Sequence, residues 1–424
     1  MVGRDLIMIK KKKILIHSIV FSPDGVSTAY LYNDIAKGFK GIGYEVVVLT
    51  TTPHYNVVKE ELEKQPISKR WGGLFGESNY EGIRVLHVPQ KKFKSSLLRM
   101  LGFVYWHMVS LLLGLREKNI DVILSPSPPL TIGFINLIIG KIKKSKVVYN
   151  VQEIYPDFLI EQGGLQSKFI INVLKWLEQF VYNQSDAVTT IDDVFYTTIM
   201  DRFHNKAKLH VIPNFVDTEL YRPLSTNVNL DSSLFINNDH IKLMYAGNIG
   251  HAQDWEPLLQ TAVLLKDEPF DFYVVGEGVM KGYVQQKVQE FGLSNVHILP
   301  YQRRELMPEL LAFADLQYIF MSKEMEKHGF PSKVYTIMAC SKPLLVCSGE
   351  GTPIINFLKH QGCSKLVTTI IFQDKVSELV NFLKGITKEE LKAMGANGLQ
   401  EINKNYSKEV VVKKYISLID SLVN

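Results

Sequence analysis

Apolar residues arrive along this chain in short runs bounded by charges or Gly/Pro turns, and between those runs they recur every three or four positions. Residues 14–21 (ILIHSIVF) form one continuous run closed by SPDG. That pattern predicts a strand buried on both faces, as in a parallel sheet. Residues 29–41 place Leu31, Ile35 and Phe39 on one helical face, and residues 43–51 (GYEVVVLTT) follow as the next strand. Strand, turn, helix, strand is one βαβ unit. The alternation continues through strands at 82–89, 121–129, 146–157, 186–192 and 208–217, with an amphipathic helix over 168–184. Residues 53–82, including WGGLFG, lack a period and predict a loop or lid. Residues 224–240 are rich in Asn, Asp and Ser and predict a linker. Beyond them the pattern restarts, with strands at 241–250, 270–278, 295–301, 314–320 and 342–349. Helices are predicted at 255–265, 280–291, 305–313, 353–360, 374–384, 388–405 and 407–422.

This is the signature of an α/β protein with two Rossmann-like, doubly wound parallel-sheet domains facing a cleft. The predicted limits are 1–223 for the first domain, 224–240 for the linker and 241–406 for the second. A C-terminal helix, 407–424, is placed to pack back on the first domain. A length of 424 residues suits two such cores.

Composition narrows the class. Hydrophobic residues make up 46% and charged residues 21%, as in ordinary globular proteins. Cys340, Cys347 and Cys363 are too few for a disulfide framework and wrongly spaced for zinc, so a reducing cytosol and no metal site are expected. The first apolar run is too short for a secretory signal. Residues 97–115 are the longest apolar candidate, but Arg99 and His107 interrupt them, which predicts a buried or interfacial helix. His107 reads as a satisfied core histidine. Charge is uneven: residues 1–146 carry 22 Lys and Arg against 11 Asp and Glu, and the remainder is net acidic. The basic clusters at 10–13, 91–94 and 141–146 predict an anionic partner. Aromatics are not interleaved with them, so a membrane surface is favoured over nucleic acid.

The chemistry centres on residues 329–343 (GFPSKVYTIMACSKP). Phe330, Pro331 and Ser332 make a small loop, Pro331 suits the first turn of a helix, and Val334, Ile337 and Met338 recur at helical spacing. The start of a helix has free amides and a positive dipole end, which together form an anion site; Lys333 adds a full charge. Two glycine turns end earlier strands, Gly247-Asn248-Ile249-Gly250 and Gly276-Glu277-Gly278. Neither matches a dinucleotide fingerprint, and no acidic residue closes the next strand, which argues against a dehydrogenase. Together with a turn at Tyr301 they predict a cradle for a nucleotide diphosphate at the carboxyl ends of one sheet.

These pieces resemble the family 4 glycosyltransferases of the GT-B fold. The matching segments are SPDG, SPPL at 127–130, EIYPD at 153–157, VIPNFVDTELYRP at 211–223, LMYAGNIGHAQDWEPLL at 243–259, VVGEG at 274–278, HILPYQRRELMPELLAFADL at 297–316 and FPSKVYTIMACSKPLL at 330–345. They run in the family's order over nearly the whole chain. Their flavour is similar to bacterial O-antigen, capsule and exopolysaccharide enzymes of the fucosamine-transferase type. The resemblance implies a nucleotide sugar, UDP-linked, in the second domain and a glycan or lipid-linked acceptor in the first. It also implies retention of configuration and no cofactor or bound metal. It casts Lys333 and neighbouring amides on the diphosphate, Asp24 and Gly25 near the donor sugar, and Glu153 and Asp157 on the acceptor side. Thr336 falls where the ribose is held.

The chain departs from the family at several positions. A glutamate pair common in the family is replaced by His328 and Thr336, with Glu324 and Glu326 just upstream. A basic pair after a strand is replaced by Asn248 and Gln253, with His251 nearby. Two other readings stand beside this one: a nucleotide-sugar 2-epimerase on the same fold, and a non-catalytic nucleotide-sugar-binding assembly protein, which the lost glutamate pair favours. The basic, apolar surface around 91–117 favours a transferase working peripherally on the inner face of the membrane.

Overall fold

The structure, a computed structural model, describes residues 11–90, 95–161, 163–224, 230–326 and 330–423, and every count below is of these. The chain divides into two compact units, Met1–Asn214 with Val411–Asn424, and Phe215–Val410. The first boundary lies before the expected 224–240 segment, so the second unit begins inside VIPNFVDTELYRP.

In the first unit nine strands form one sheet: β1 (Lys13–His17), β2 (Glu45–Thr51), β3 (Ser68–Arg70), β4 (Phe75–Tyr80), β5 (Ile83–Val88), β6 (Val122–Ser127), β7 (Lys146–Val151), β8 (Ala187–Thr190) and β9 (Leu209–Val211). Their order is β3-β4-β5-β2-β1-β6-β7-β8-β9. The strands from β5 to β9 run parallel, and the central ones are buried on both faces, as their unbroken apolar runs require. Seven helices accompany them: α1 (Ser27–Gly41), α2 (Lys59–Lys64), α3 (Ser96–Arg116), α4 (Leu130–Lys143), α5 (Asp157–Glu161), α6 (Lys168–Gln184) and α7 (Asp193–Ile199).

The 53–82 segment corrects the expectation of a loop. It holds α2 and an antiparallel extension, β3–β4–β5, that lengthens one edge of the sheet. FGESNY does not look like a strand because its polar Ser78 is buried and bonded inward rather than exposed.

In the second unit six parallel strands, β10 (Ile241–Ala246), β11 (Phe270–Val275), β12 (Val296–Leu299), β13 (Leu316–Phe320), β14 (Leu344–Cys347) and β15 (Ser364–Val367), take the order β12-β11-β10-β13-β14-β15. The helices are α8 (Glu256–Leu264), α9 (Lys281–Glu290), α10 (Met307–Phe313), α11 (Lys333–Ala339), α12 (Pro353–Leu358), α13 (Phe372–Gly385), α14 (Lys388–Glu401) and α15 (Lys408–Val423). Strand β15, SKLV, escapes sequence reading because two of its residues are polar and only Val367 is fully buried.

The described part of 224–240 is not a free linker: Leu230, Leu234 and Phe235 pack against Met244 and Tyr273. From Val411 onward, α15 belongs to the first unit. Val412 meets Gly38, Asp420 pairs with Lys12 at 2.6 Å, and Tyr415 reaches Asn150 at 3.1 Å.

Candidate active site

The second unit carries the glycine turns and the 330–336 loop on the carboxyl-end side of its sheet, because parallel strands all deliver their following loops to one edge. β10 and β11 are in register as far as Ala246 and Val275, and their turns go on bonding past the sheet. The Gly247 amide donates to Val275 O (2.9 Å), the Ile249 amide to Glu277 O (2.8 Å) and the Met280 amide to Ile249 O (2.9 Å). Gly247, Gly276 and Gly278 have φ of +152°, +149° and +156°. A Cβ on Gly276 would stand 1.9 Å from Gly247 O, and one on Gly278 would stand 2.2 Å from Ile249 O. These glycines therefore answer first to each other: the two turns are locked face to face as one double loop. The Tyr245 hydroxyl donates to Asn248 O (2.7 Å) and the Trp255 indole to Gly250 O (3.2 Å), which stiffens the first turn. Tyr301 exposes its ring, and its amide bonds the Glu277 carboxylate, so the turn after β12 is tied to the same double loop.

Lys333 opens α11. Its ammonium does not face solvent. It donates to Ala246 O at the end of β10 (3.2 Å) and lies 3.8 Å from the centre of the Tyr245 ring. Burial pushes it down to about 8. A small cavity beside it is lined by Gln317, Tyr318 and Thr336, and the Gln317 Nε2 and Tyr318 hydroxyl have no partner there. The first turn of α11 uses the amides of Val334 and Tyr335 on Pro331 O (3.0 Å) and Ser332 O (3.2 Å). Ser332 is exposed and makes no side-chain cap. The Thr336 hydroxyl donates to Lys333 O (2.8 Å), which leaves it only an acceptor to offer. Phe330 packs on Phe357 and Tyr335, with centroids 5.0 and 5.2 Å apart, as part of an aromatic cluster. His328 lies outside the described residues. Glu326 accepts the Gly349 amide at 2.5 Å, so it holds the loop after β14 and is not a free replacement for the expected glutamates. Gln253 is likewise engaged: its side-chain oxygen accepts the Phe320 amide (3.1 Å).

In the first unit the expected residues sort differently. Asp24 is buried, and its carboxylate accepts the amides of His54 and Tyr55, both at 2.8 Å. Burial nevertheless raises its carboxyl above the usual range. The Gly25 amide bonds Tyr55 O and Asn56 O, and a Cβ there would meet Asn56 O at 2.4 Å. Asp24 and Gly25 thus fasten the 54–56 loop. Asp157 is paired with Arg202, which also holds the buried Glu178 at 2.5 Å. Glu153 carries no such ion pair among the described residues; it is half-buried, raised by burial and bonded by Tyr155. Of the two carboxylates in EIYPD, only Asp157 is held in an ion pair among the described residues. His107 is satisfied on both nitrogens, by Phe103 O (2.8 Å) and Thr131 (2.9 Å).

Sequence reading missed the polar knot below this loop. Asn150 bonds Tyr32, Thr189 (2.8 Å) and Tyr415 (3.1 Å), and Gln152 bonds Asn150 (2.7 Å) and Asn214 (2.9 Å). The only signal was an Asn inside an otherwise apolar strand. In the basic cluster at 10–13, Lys12 and Lys13 pair with Asp420, Glu45 and Glu117, Lys11 is exposed, and Lys10 lies outside the described residues. The 91–94 cluster lies outside the described residues. No group of three or more His, Cys, Asp or Glu placed to hold a metal occurs among the described residues.

Comparison with known proteins agrees with this layout. Residues 28–214 match the family described as Glycosyl transferase 4-like domain, and residues 240–383 match Glycosyl transferases group 1. The protein named as the colanic acid biosynthesis glycosyl transferase WcaI of Escherichia coli (strain K12) is 23% identical over 77% of this chain and 81% of its own. WbjE of Pseudomonas aeruginosa, named as a glycosyltransferase, is 23% identical over 75% of this chain and 78% of its own. Among solved structures, Anabaena HepE in complex with UDP and glucose superposes with a TM-score of 0.68 at 15% identity, covering 97% of this chain and all of that one. WaaG, described as a glycosyltransferase involved in lipopolysaccharide biosynthesis, superposes at 0.63 with 12% identity over 96% and 99%. The two family matches fall one on each compact unit, in the order of the two sheets; the chain belongs to the family 4 glycosyltransferases and has the GT-B fold.

Proposed function

We propose that this protein is a retaining, metal-independent glycosyltransferase. It takes a sugar from a UDP-linked donor and delivers it to a glycan or lipid-linked acceptor in surface polysaccharide biosynthesis. The observation that carries this reading is the Lys333 ammonium on Ala246 O, at the mouth of the double glycine loop. One cation then serves two loops at the edge where open α/β sheets take ligands. The name of WcaI and the UDP and glucose bound to HepE point the same way.

In this reading the leaving diphosphate develops charge against Lys333 and the amides around Ser332, and preorganised donors of this kind are the largest single contribution to such a reaction. The exposed Tyr301 and the turn after β12 take the base. Phe330 and Pro331 shape the loop from behind, and Thr336 offers one oxygen toward the ribose. Glu153 stands for the acceptor side, where a carboxyl raised by burial suits proton transfer. Asp24 and Gly25 act by holding the 54–56 loop. The enzyme works from the cytoplasm, attached peripherally to the membrane through α3.

Thermal unfolding in the presence of a panel of nucleotides and nucleotide sugars tests the donor assignment, since a ligand that binds only the folded state raises stability. UDP and one UDP-sugar should raise the melting temperature, and GDP and ADP should not. A shift with none of the panel, or release of UDP that requires added divalent metal, would contradict the proposal.

A further inference from the structure

Helices α3, α4 and α6 lie side by side in the first unit, with α4 in the middle, and sink their inner faces into one core through Trp106, Ile135 and Val181. Their outer faces are apolar as well. Leu101, Val104, Met108 and Leu112 line α3 at helical spacing, and Phe169 and Trp176 stand out from α6; Met108 and Trp176 are 60% and 61% exposed. By length and composition, Leu97–Arg116 is long and apolar enough to cross a membrane. Large apolar side chains exposed together on neighbouring helices mark an interaction surface.

Between α4 and α6 the patch opens into a groove of about 440 Å³, walled by Phe134, Leu137, Ile138 and Phe180. Trp176 stacks on Phe180 at 5.5 Å, and Phe180 meets Phe134 at 6.1 Å, so the apolar surface runs without a break into the groove. At its far end stand Lys141 and Lys144. Both are exposed and have no ionic partner among the described residues. Asp186 also lines this end, but its carboxylate is occupied by Lys146 (2.9 Å) and the Val147 amide (2.9 Å). α4 ends and β7 begins here, at the amino ends of the parallel strands and so opposite the edge assigned to sugar transfer.

We propose that this groove binds one anionic phospholipid of the bilayer, with its phosphate on Lys141 and Lys144 and an acyl chain along Phe134, Ile138 and Phe180. A soluble anion would leave the apolar walls unused, and an apolar peptide would leave two cations facing nothing. A charged headgroup joined to a hydrocarbon chain meets both, and an exposed apolar stripe leading into the groove is how a bilayer would deliver it. The site deepens the membrane part of the proposed function, from which it takes its lipid, and is independent of the sugar-transfer chemistry.

Native mass spectrometry of the full chain with short-chain phosphatidylglycerol or phosphatidylcholine tests the groove, and flotation with phosphatidylglycerol vesicles tests the membrane attachment. One phosphatidylglycerol should be retained per chain and phosphatidylcholine should not. Lys141→Glu/Lys144→Glu, with an unchanged melting temperature, should weaken retention at least about tenfold. Phosphatidylglycerol brominated on its acyl chain should quench tryptophan emission, and Trp176→Phe should remove that quenching. Met108→Glu/Leu112→Glu should abolish flotation and keep the adduct. Equal retention of the two lipids, unchanged affinity in the lysine variant, or a lipid-free dimer formed through this face overturns the groove. An adduct retained by a wild-type chain that does not float supports the groove and removes the membrane attachment.

Discussion

Lys333 is held in a position that costs the fold stability. An ammonium turned under a tyrosine ring, with one carbonyl for a partner, loses more hydration than it regains, and its titration falls to about 8. The folded value lies below the unfolded one, so the cost is fully present below pH 8 and is relieved as pH climbs toward the unfolded value. Lys333→Met should therefore be more stable than the parent at pH 7, by about 1–3 kcal/mol, with the gain shrinking at pH 10. On the proposed function, in which this cation meets the leaving diphosphate, its donor turnover should drop more than about tenfold. Urea melts at the two pH values and a UDP-release assay measure both. A variant that is less stable at pH 7, or that keeps turnover within about threefold, less than roughly 1 kcal/mol of transition-state stabilisation, would show that the lysine only props up the end of β10.

At the scale of elements, the strands were legible because ILIH, EVVVLTT and FDFYVV are buried on both faces and need no alternation to be recognised. What escaped was set by tertiary partners. Phe235 sits in a segment whose composition reads as linker, yet Tyr273 stacks on it at 6.1 Å. The glycine turns were found, but their main reason was not. Sequence reading joined the glycines into a ligand cradle, whereas Gly276 is already required by its positive φ and by the Gly247 carbonyl against it. In the first unit SPDG was read as a turn and EIYPD as the end of a strand that in fact stops at Val151, and spacing could not tell that Asp24 and Asp157 are consumed by amides and by Arg202 while Glu153 is not. Gly276→Ala should accordingly cost the second unit about 2–4 kcal/mol from positive-φ strain and overlap together. It should also weaken UDP binding by displacing the neighbouring turn. Chemical denaturation of the full chain reads the first effect, and a loss under about 0.5 kcal/mol would mean the double loop is pliable rather than locked.

Over the whole molecule, acid sensitivity can be traced to buried histidines of the first unit. His17 and His87 are fully buried in the first, and burial pushes both down to about 4. His87 is fixed as a neutral ring by a relay of donors. Ser22 donates to Gln65 (2.8 Å), Gln65 to Ser78 (2.8 Å), Ser78 to His87 Nε2 (2.7 Å), and His87 Nδ1 to Thr51 O (3.1 Å). A proton on Nε2 would take away the acceptor of the Ser78 hydroxyl and force its hydrogen to turn elsewhere, in a chain that ties β2, β4, β5, the end of α2 and the loop after β1. Because the folded value lies below the unfolded one, the unfolded state binds the extra proton first. Stability is then full above about pH 6.5 and declines through pH 4, by up to about 3 kcal/mol for each ring. Buried acids of the same unit oppose this, as with Glu178, pushed up to about 7, so the histidine share is best isolated by difference. Calorimetry of the full chain at pH 7 and pH 5 should show the first unit's transition moving down. In His87→Gln, which keeps an amide for Ser78 and Thr51 but cannot titrate, that shift should be distinctly smaller. An equal shift in the variant would place the acid sensitivity elsewhere in the unit, and the relay would then be packing alone.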